Sequence, residues 1–180
     1  MLHMLTLALV LELHNFAGAA PAIVRDAERE VTRVYQDIGV RVEWDHASAP
    51  ASAPGAGQAA LQIILVAHES GVLRRTHDQF MGAATWTPTG TPVVYVFYRR
   101  VEAEAARYSV SVVFVLACAL AHELGHVLMP ERGHSQDGLM RACWNGDDFH
   151  RADRGQLRFL PEQVALIELR IRKLEVGIRE

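Results

Sequence analysis

The run Ala121-His-Glu-Leu-Gly-His-Val127 constrains this chain more than any other segment, because it sets a helix, its surroundings and a chemistry at once. On an α-helix, residues four apart are separated by about 400° of rotation, so His122 and His126 leave one face a turn apart and can grip one metal ion. Glu123 projects about 100° around from His122, beside the metal, where a general base for a metal-bound water belongs. With nine His in 180 residues, chance yields on the order of 0.03 matches to this pattern. The helix that carries it reads from Ser109 to Leu128 and is apolar nearly all round, which marks it as buried. Two His and a Glu buried on such a helix need partners, and a metal ion would satisfy all three. Pro130 and Gly133 stop the helix.

Zinc needs at least a third protein ligand and keeps a fourth position for water. Downstream stand Glu131, His134, Asp137, His150 and Glu162. His134 is favoured, because the turn Met129-Pro-Glu-Arg-Gly133 breaks the helix and its glycine lets the chain reverse toward the metal. Glu162 is the alternative, as a long-range ligand from the next helix.

The residues His122-Glu-Leu-Gly-His126, Gly133-His134-Ser135 and Gly138-Leu139-Met140 resemble the metzincin superfamily of zinc peptidases. The resemblance implies that His134 closes the metal site and that Met140 is an apolar floor beneath it. One departure is in spacing: the superfamily carries Gly three residues and His six residues after its second His, positions held here by Met129 and Arg132. The resemblance has Gly133 and His134 supply them, the His displaced by two residues and the Gly by four. No Tyr follows Met140, so the tyrosine that joins the metal sphere in some branches has no counterpart.

The remainder reads as a single catalytic domain over residues 1–180, with the sheet and metal-binding helix in 1–133 and the methionine turn and a last helix in 134–180. Leucines at 5, 7, 9, 11 and 13 have period two and predict a strand. A secretory leader fits less well, since no basic residue precedes the run and Glu12 interrupts it. Val24, Ala27, Val31, Val34 and Ile38 mark an amphipathic helix after Pro21, ended by Gly39. Val40, Val42 and Trp44 alternate as a second strand, and a strand-helix-strand unit implies parallel strands. Residues 47–60 read as a surface loop rich in Ala, Ser, Pro and Gly. Leu61 to Ala67 is a continuously apolar, central strand. Met81 to Trp86 and Pro92 to Tyr98 are two more strands, joined by the turn-rich Thr87-Pro-Thr-Gly-Thr91. Leu160 to Val176 is a final amphipathic helix.

The predicted fold class is therefore α/β (α+β), a twisted, mostly parallel mixed sheet. The metzincin resemblance adds an antiparallel edge strand that holds the substrate backbone, with Gly82, Ala83, Ala84, Thr85 and Trp86 as its counterpart. An open edge offers N–H and C=O groups to an extended peptide, and small residues let it approach. Arg141, Ala142 and Trp144, just after the methionine turn, are candidates for a pocket wall on the leaving-group side.

A net charge of −3 and scattered arginines argue against a nucleic-acid partner. No stretch reads as a membrane span, although the metal-binding helix approaches the lower length limit. Cys118 and Cys143 could be neighbours but define no disulfide framework, and the compartment stays open. The reading is zinc-dependent hydrolysis of a peptide or protein substrate, with one Zn²⁺ on His122, His126 and His134 and a metal-bound water activated by Glu123. The alternatives are a non-catalytic metal-binding or interaction protein on a peptidase fold, and a zinc hydrolase of a non-peptide amide or ester.

Overall fold

The structure is a computed structural model that describes residues 8–45, 61–69, 80–129 and 133–175. The predicted loop at 47–60, the turn residues 130–132, and the outer ends of the first strand and last helix lie outside the described residues.

Five strands form one sheet: β1 (Ala8–Asn15), β2 (Arg41–Asp45), β3 (Leu61–Val66), β4 (Gly82–Trp86) and β5 (Pro92–Phe97). Their order is β2-β1-β3-β5-β4. β1 pairs in parallel with β2 and β3, β3 in parallel with β5, and β4 alone runs antiparallel, at the edge beside β5. β3 is central, as its apolar run predicts, with Leu61, Ile63 and Leu65 buried and the polar Gln62 outward. Helix α1 (Pro21–Gln36) links β1 to β2, and Pro21 opens it with a preset φ and no amide to leave unpaired.

Helix α3 (Val112–Leu128) carries the His-Glu-x-x-His run. It is flanked by α1, by β4 and β5, and by α2 (Tyr98–Tyr108), α4 (Gly146–Asp153) and α5 (Pro161–Glu175). Elements on every side explain why α3 is apolar all round, where a surface helix would show one stripe. It starts at Val112, three residues later than the helix predicted from Ser109. Ser109 adopts a left-handed φ of 54° and closes α2, so the chain turns before α3 can start. Asp153 of α4 then accepts the Ser111 N–H at 2.7 Å, satisfying a donor at the helix entrance.

The helices α2 and α4 are not apparent from apolar periodicity. Tyr98, the end of an apolar strand run in the sequence, is the first residue of α2. α4 is announced by a capping box instead: Asn145 accepts from the Asp148 N–H, and the Asp148 carboxylate accepts from the Asn145 N–H. Among the described residues no helix is long and apolar enough to cross a membrane.

Candidate metal centre

His122 and His126 stand one turn apart on α3, and the chain beyond the helix returns His134 to them. The His126 Nε2 lies 3.1 Å from the Nε2 atoms of both His122 and His134. A tetrahedral zinc with bonds of 2.0 to 2.1 Å spaces its ligand nitrogens about 3.3 Å apart, so these two separations stand close to what one ion requires, and all three ligand atoms lie within 4.8 Å of one another. Among the described residues this is the group of His, Cys, Asp and Glu able to share an ion. His150 and Glu162 are exposed on α4 and α5 and stand outside it. Asp137 is occupied elsewhere, accepting from the Gly138 N–H at 2.7 Å and from Arg151 at 2.9 Å. Glu131 lies outside the described residues.

The protonation states suit a metal. His122 Nδ1 lies 2.7 Å from the Leu139 carbonyl; a carbonyl only accepts, so the proton sits on Nδ1 and the Nε2 lone pair faces the other rings. Burial is the main cause that lowers the imidazole pKa values, to about 3 for His122 and about 4 for His126. Burial lowers His134 as well. All three imidazoles are therefore neutral at pH 7, the form a metal ion would need.

The segment after His134 is tied down from several sides. Ser135 N–H donates to the Met140 carbonyl at 2.9 Å, and Leu139 N–H donates to the Arg158 carbonyl at 2.8 Å. Gly138 has φ +75°, and a Cβ there would stand 2.8 Å from the Arg158 carbonyl oxygen, so this tight turn needs glycine. The turn delivers Met140, fully buried, against α3: a Cβ on Gly125 would lie 2.5 Å from the Met140 sulfur. The bare glycine between the two histidines is what lets the methionine seat directly on the helix. Trp144 Nε1–H also donates to the Leu139 carbonyl, at 3.2 Å, and its ring meets His122 edge-on at 5.9 Å. Trp144 thus braces the carbonyl that orients His122.

Glu123 is 7 % exposed and stands beside the histidines. Burial pushes its carboxyl pKa up to about 8, opposed by a hydrogen bond from the Ala84 backbone N–H. That donor belongs to the open edge of β4. Phe97 N–H donates to the Met81 carbonyl at 2.7 Å, so in the alternating ladder Met81, Ala83 and Thr85 face β5, while Gly82, Ala84 and Trp86 present their N–H and C=O groups outward. Gly82 is small for a reason the sequence conceals: a Cβ there would stand 2.6 Å from Glu123 Cγ and 2.6 Å from the Tyr95 carbonyl oxygen.

Arg141, Ala142 and Trp144 line a cavity of about 540 Å³ together with His122 and Glu123. Its other walls come from residues that sequence periodicity missed, among them Tyr108 of α2 and Phe149 of α4, stacked at 4.5 Å. Tyr35 of α1 was also missed; its hydroxyl donates to the Ala121 carbonyl at 3.2 Å, holding the backbone just before His122. Its signal was an aromatic in the apolar stripe Val31, Val34, Ile38. Cys118 is a buried thiol, pushed up to about 12 chiefly by burial, and Cys143 is an exposed one; they form no disulfide.

Fold and site together define a mixed α/β protein with a three-histidine centre set under an antiparallel edge strand. Among solved structures it is similar to archaemetzincin from Methanopyrus kandleri, with a TM-score of 0.57 over 95 % of this chain and 99 % of that one, at 18 % identity. At that identity the likeness is one of fold. No protein-family model matches the sequence, and no curated protein matches it.

Proposed function

We propose that this chain is a zinc-dependent peptidase. The observation that carries the reading is the convergence of three imidazole nitrogens beside a buried carboxyl that is hydrogen-bonded to the sheet's open edge. His122, His126 and His134 would hold one Zn²⁺. When bound, such an ion supplies Lewis-acid chemistry, acidifying water and polarising a carbonyl oxygen.

The chain's own groups account for the other tasks. Glu123 takes a proton from the attacking water and returns it to the leaving amine nitrogen; burial strengthens its carboxylate as a base, and a bound cation beside it would keep it ionised and ready to accept. Gly82 and Trp86, with the carbonyl of Ala84, whose N–H is taken by Glu123, offer edge groups to an extended substrate backbone. A peptide adding antiparallel to β4 runs with its C-terminal half toward Gly82. The cavity lined by Met81, Arg141 and Trp144 lies at that end, and so receives the leaving-group side.

The test is zinc stoichiometry and cleavage of a broad peptide library, measured on one purified sample. One ion per chain and cleavage are expected. Glu123→Gln should keep the ion and lose cleavage, and His134→Ala should lose the ion while His150→Ala and Glu162→Ala keep it. A zinc-loaded chain that cleaves no peptide would overturn the reading.

A further inference from the structure

The cavity beside Glu123 has an unusual composition. Tyr108, Phe149 and Trp144 form a rigid aromatic wall, with Tyr108 stacked on Phe149 at 4.5 Å and Trp144 edge-on to Phe149 at 5.8 Å. Set into that wall is a guanidinium, Arg141, next in sequence to the buried Met140. A buried carboxylate aims it: Arg141 Nη1 donates to Asp148 Oδ2 at 3.0 Å, and Asp148 is 2 % exposed. Asp148 is held in turn by the Asn145 N–H at 3.0 Å. A flexible rim arginine would spend entropy to bind an anion, whereas this one is already fixed.

The guanidinium carries five N–H donors. One meets Asp148, and among the described residues no other acceptor bonds it. A third of the Arg141 side chain stays exposed. A second guanidinium, Arg107, lies over the Tyr108 ring at 5.3 Å, with its ion pair to Glu104 stretched to 3.7 Å. An aromatic wall with aimed, half-desolvated N–H donors suits a ligand with a short apolar stem and a planar anion at its end. That ligand is a carboxylate, which a guanidinium meets with two parallel hydrogen bonds.

We infer that Arg141 is a carboxylate receptor, so that the residue after the cleaved bond is selected for a carboxylate, supplied by an Asp or Glu side chain or by the substrate's own C-terminus. The inference rests on the peptidase reading, and its test separates the two. Peptides of one frame carry Glu or Gln after the cleaved bond, and a second pair ends just there with a free or an amidated C-terminus. A hydrogen bond to a charged partner corresponds to about tenfold or more in rate or affinity. The expected result is at least that preference in kcat/KM within one pair, and the responding pair names the source.

Arg141→Gln should bring the ratio close to one, while Arg141→Lys keeps part of it. Each ratio is taken within one protein, so any loss of folded fraction on disturbing Asp148 cancels. Ratios near one for both pairs in the unmodified chain overturn the inference and leave the peptidase reading standing. If no peptide is cleaved, the peptidase reading fails and the receptor is still tested: two zinc-anchored hydroxamates differing only as Glu and Gln are titrated by calorimetry. Tighter binding of the Glu compound supports the receptor, and equal or absent binding of the two overturns it.

Discussion

Gly82→Ala is expected to disable the proposed chemistry without touching a metal ligand. The added methyl carbon would sit 2.6 Å from the Tyr95 carbonyl oxygen, 2.6 Å from Glu123 Cγ and 2.9 Å from Glu123 Oε1, where carbon contacts settle at about 3.5 to 4.0 Å. The Tyr95 carbonyl belongs to β5 and is locked into the ladder between β3 and β4, so it cannot withdraw. Glu123, a side chain, must move by about 1 Å to restore normal contact. Overpacking of this kind costs about 1 to 3 kcal/mol, and stiffening the unfolded chain by Gly→Ala returns about 0.4 to 1 kcal/mol. The net is a loss of about 1 to 2 kcal/mol, which for a chain of this length lowers Tm by roughly 2 to 8 °C. The effect on turnover is larger, since misplacing a reacting group by about 1 Å can cost on the order of a hundredfold in rate. Thermal melts, zinc stoichiometry and steady-state kinetics on one preparation decide the matter, with a full zinc complement and a fall confined mainly to kcat expected. Turnover within about twofold of the unmodified chain would refute the claim that Gly82 makes room for a catalytic carboxyl.

Other expectations follow from the same geometry. In metal-free protein the folded Glu123 pKa, about 8, lies above its ordinary 4.5, so its contribution is intact below about pH 4.5 and lost as pH rises through about 8. Urea unfolding should therefore find metal-free Glu123→Gln gaining on the unmodified chain between pH 5 and 9 by on the order of a few kcal/mol; parallel pH profiles would mean that Glu123 is not buried as described. Met140→Leu should cost less than about 1.5 kcal/mol and keep zinc, since the seat at Gly125 needs volume more than sulfur; a folded variant without zinc would show a specific role for the thioether. Zinc at a hundred times its dissociation constant should add about 2.7 kcal/mol over the chelated protein, raising Tm by roughly 5 to 11 °C, and an unchanged melt would count against the three-histidine centre.

What local order can encode is legible in the residues alone. Residues four apart share a helix face whatever surrounds them, so His122 and His126 had to project together, and Glu123 had to stand to one side. Period two in Leu9, Leu11 and Leu13 likewise read out β1. The apolar run Ile63-Ile-Leu-Val66 read out a strand buried in the middle of the sheet. The helices α2 and α4 escaped because their signals are not apolar periodicity: one begins inside what looks like a strand, and the other is announced by a polar cap at Asn145.

The tertiary structure decided which distant groups meet. Sequence left several downstream candidates beside His134; the choice among them depends on the path held by Gly138, Leu139 and Arg158. That Gly82 is small because Glu123 lies against it, and that Gly125 is small because Met140 lies on it, could not be read from residues so far apart along the chain. The cavity that joins Arg141 and Trp144 to Tyr108 and Phe149 exists only once α2 and α4 pack beside α3. The physical reason is the same in each case: backbone periodicity is a property of neighbours in sequence, whereas steric exclusion and hydrogen-bond partnership between elements arise only when faces from different parts of the chain are pressed together.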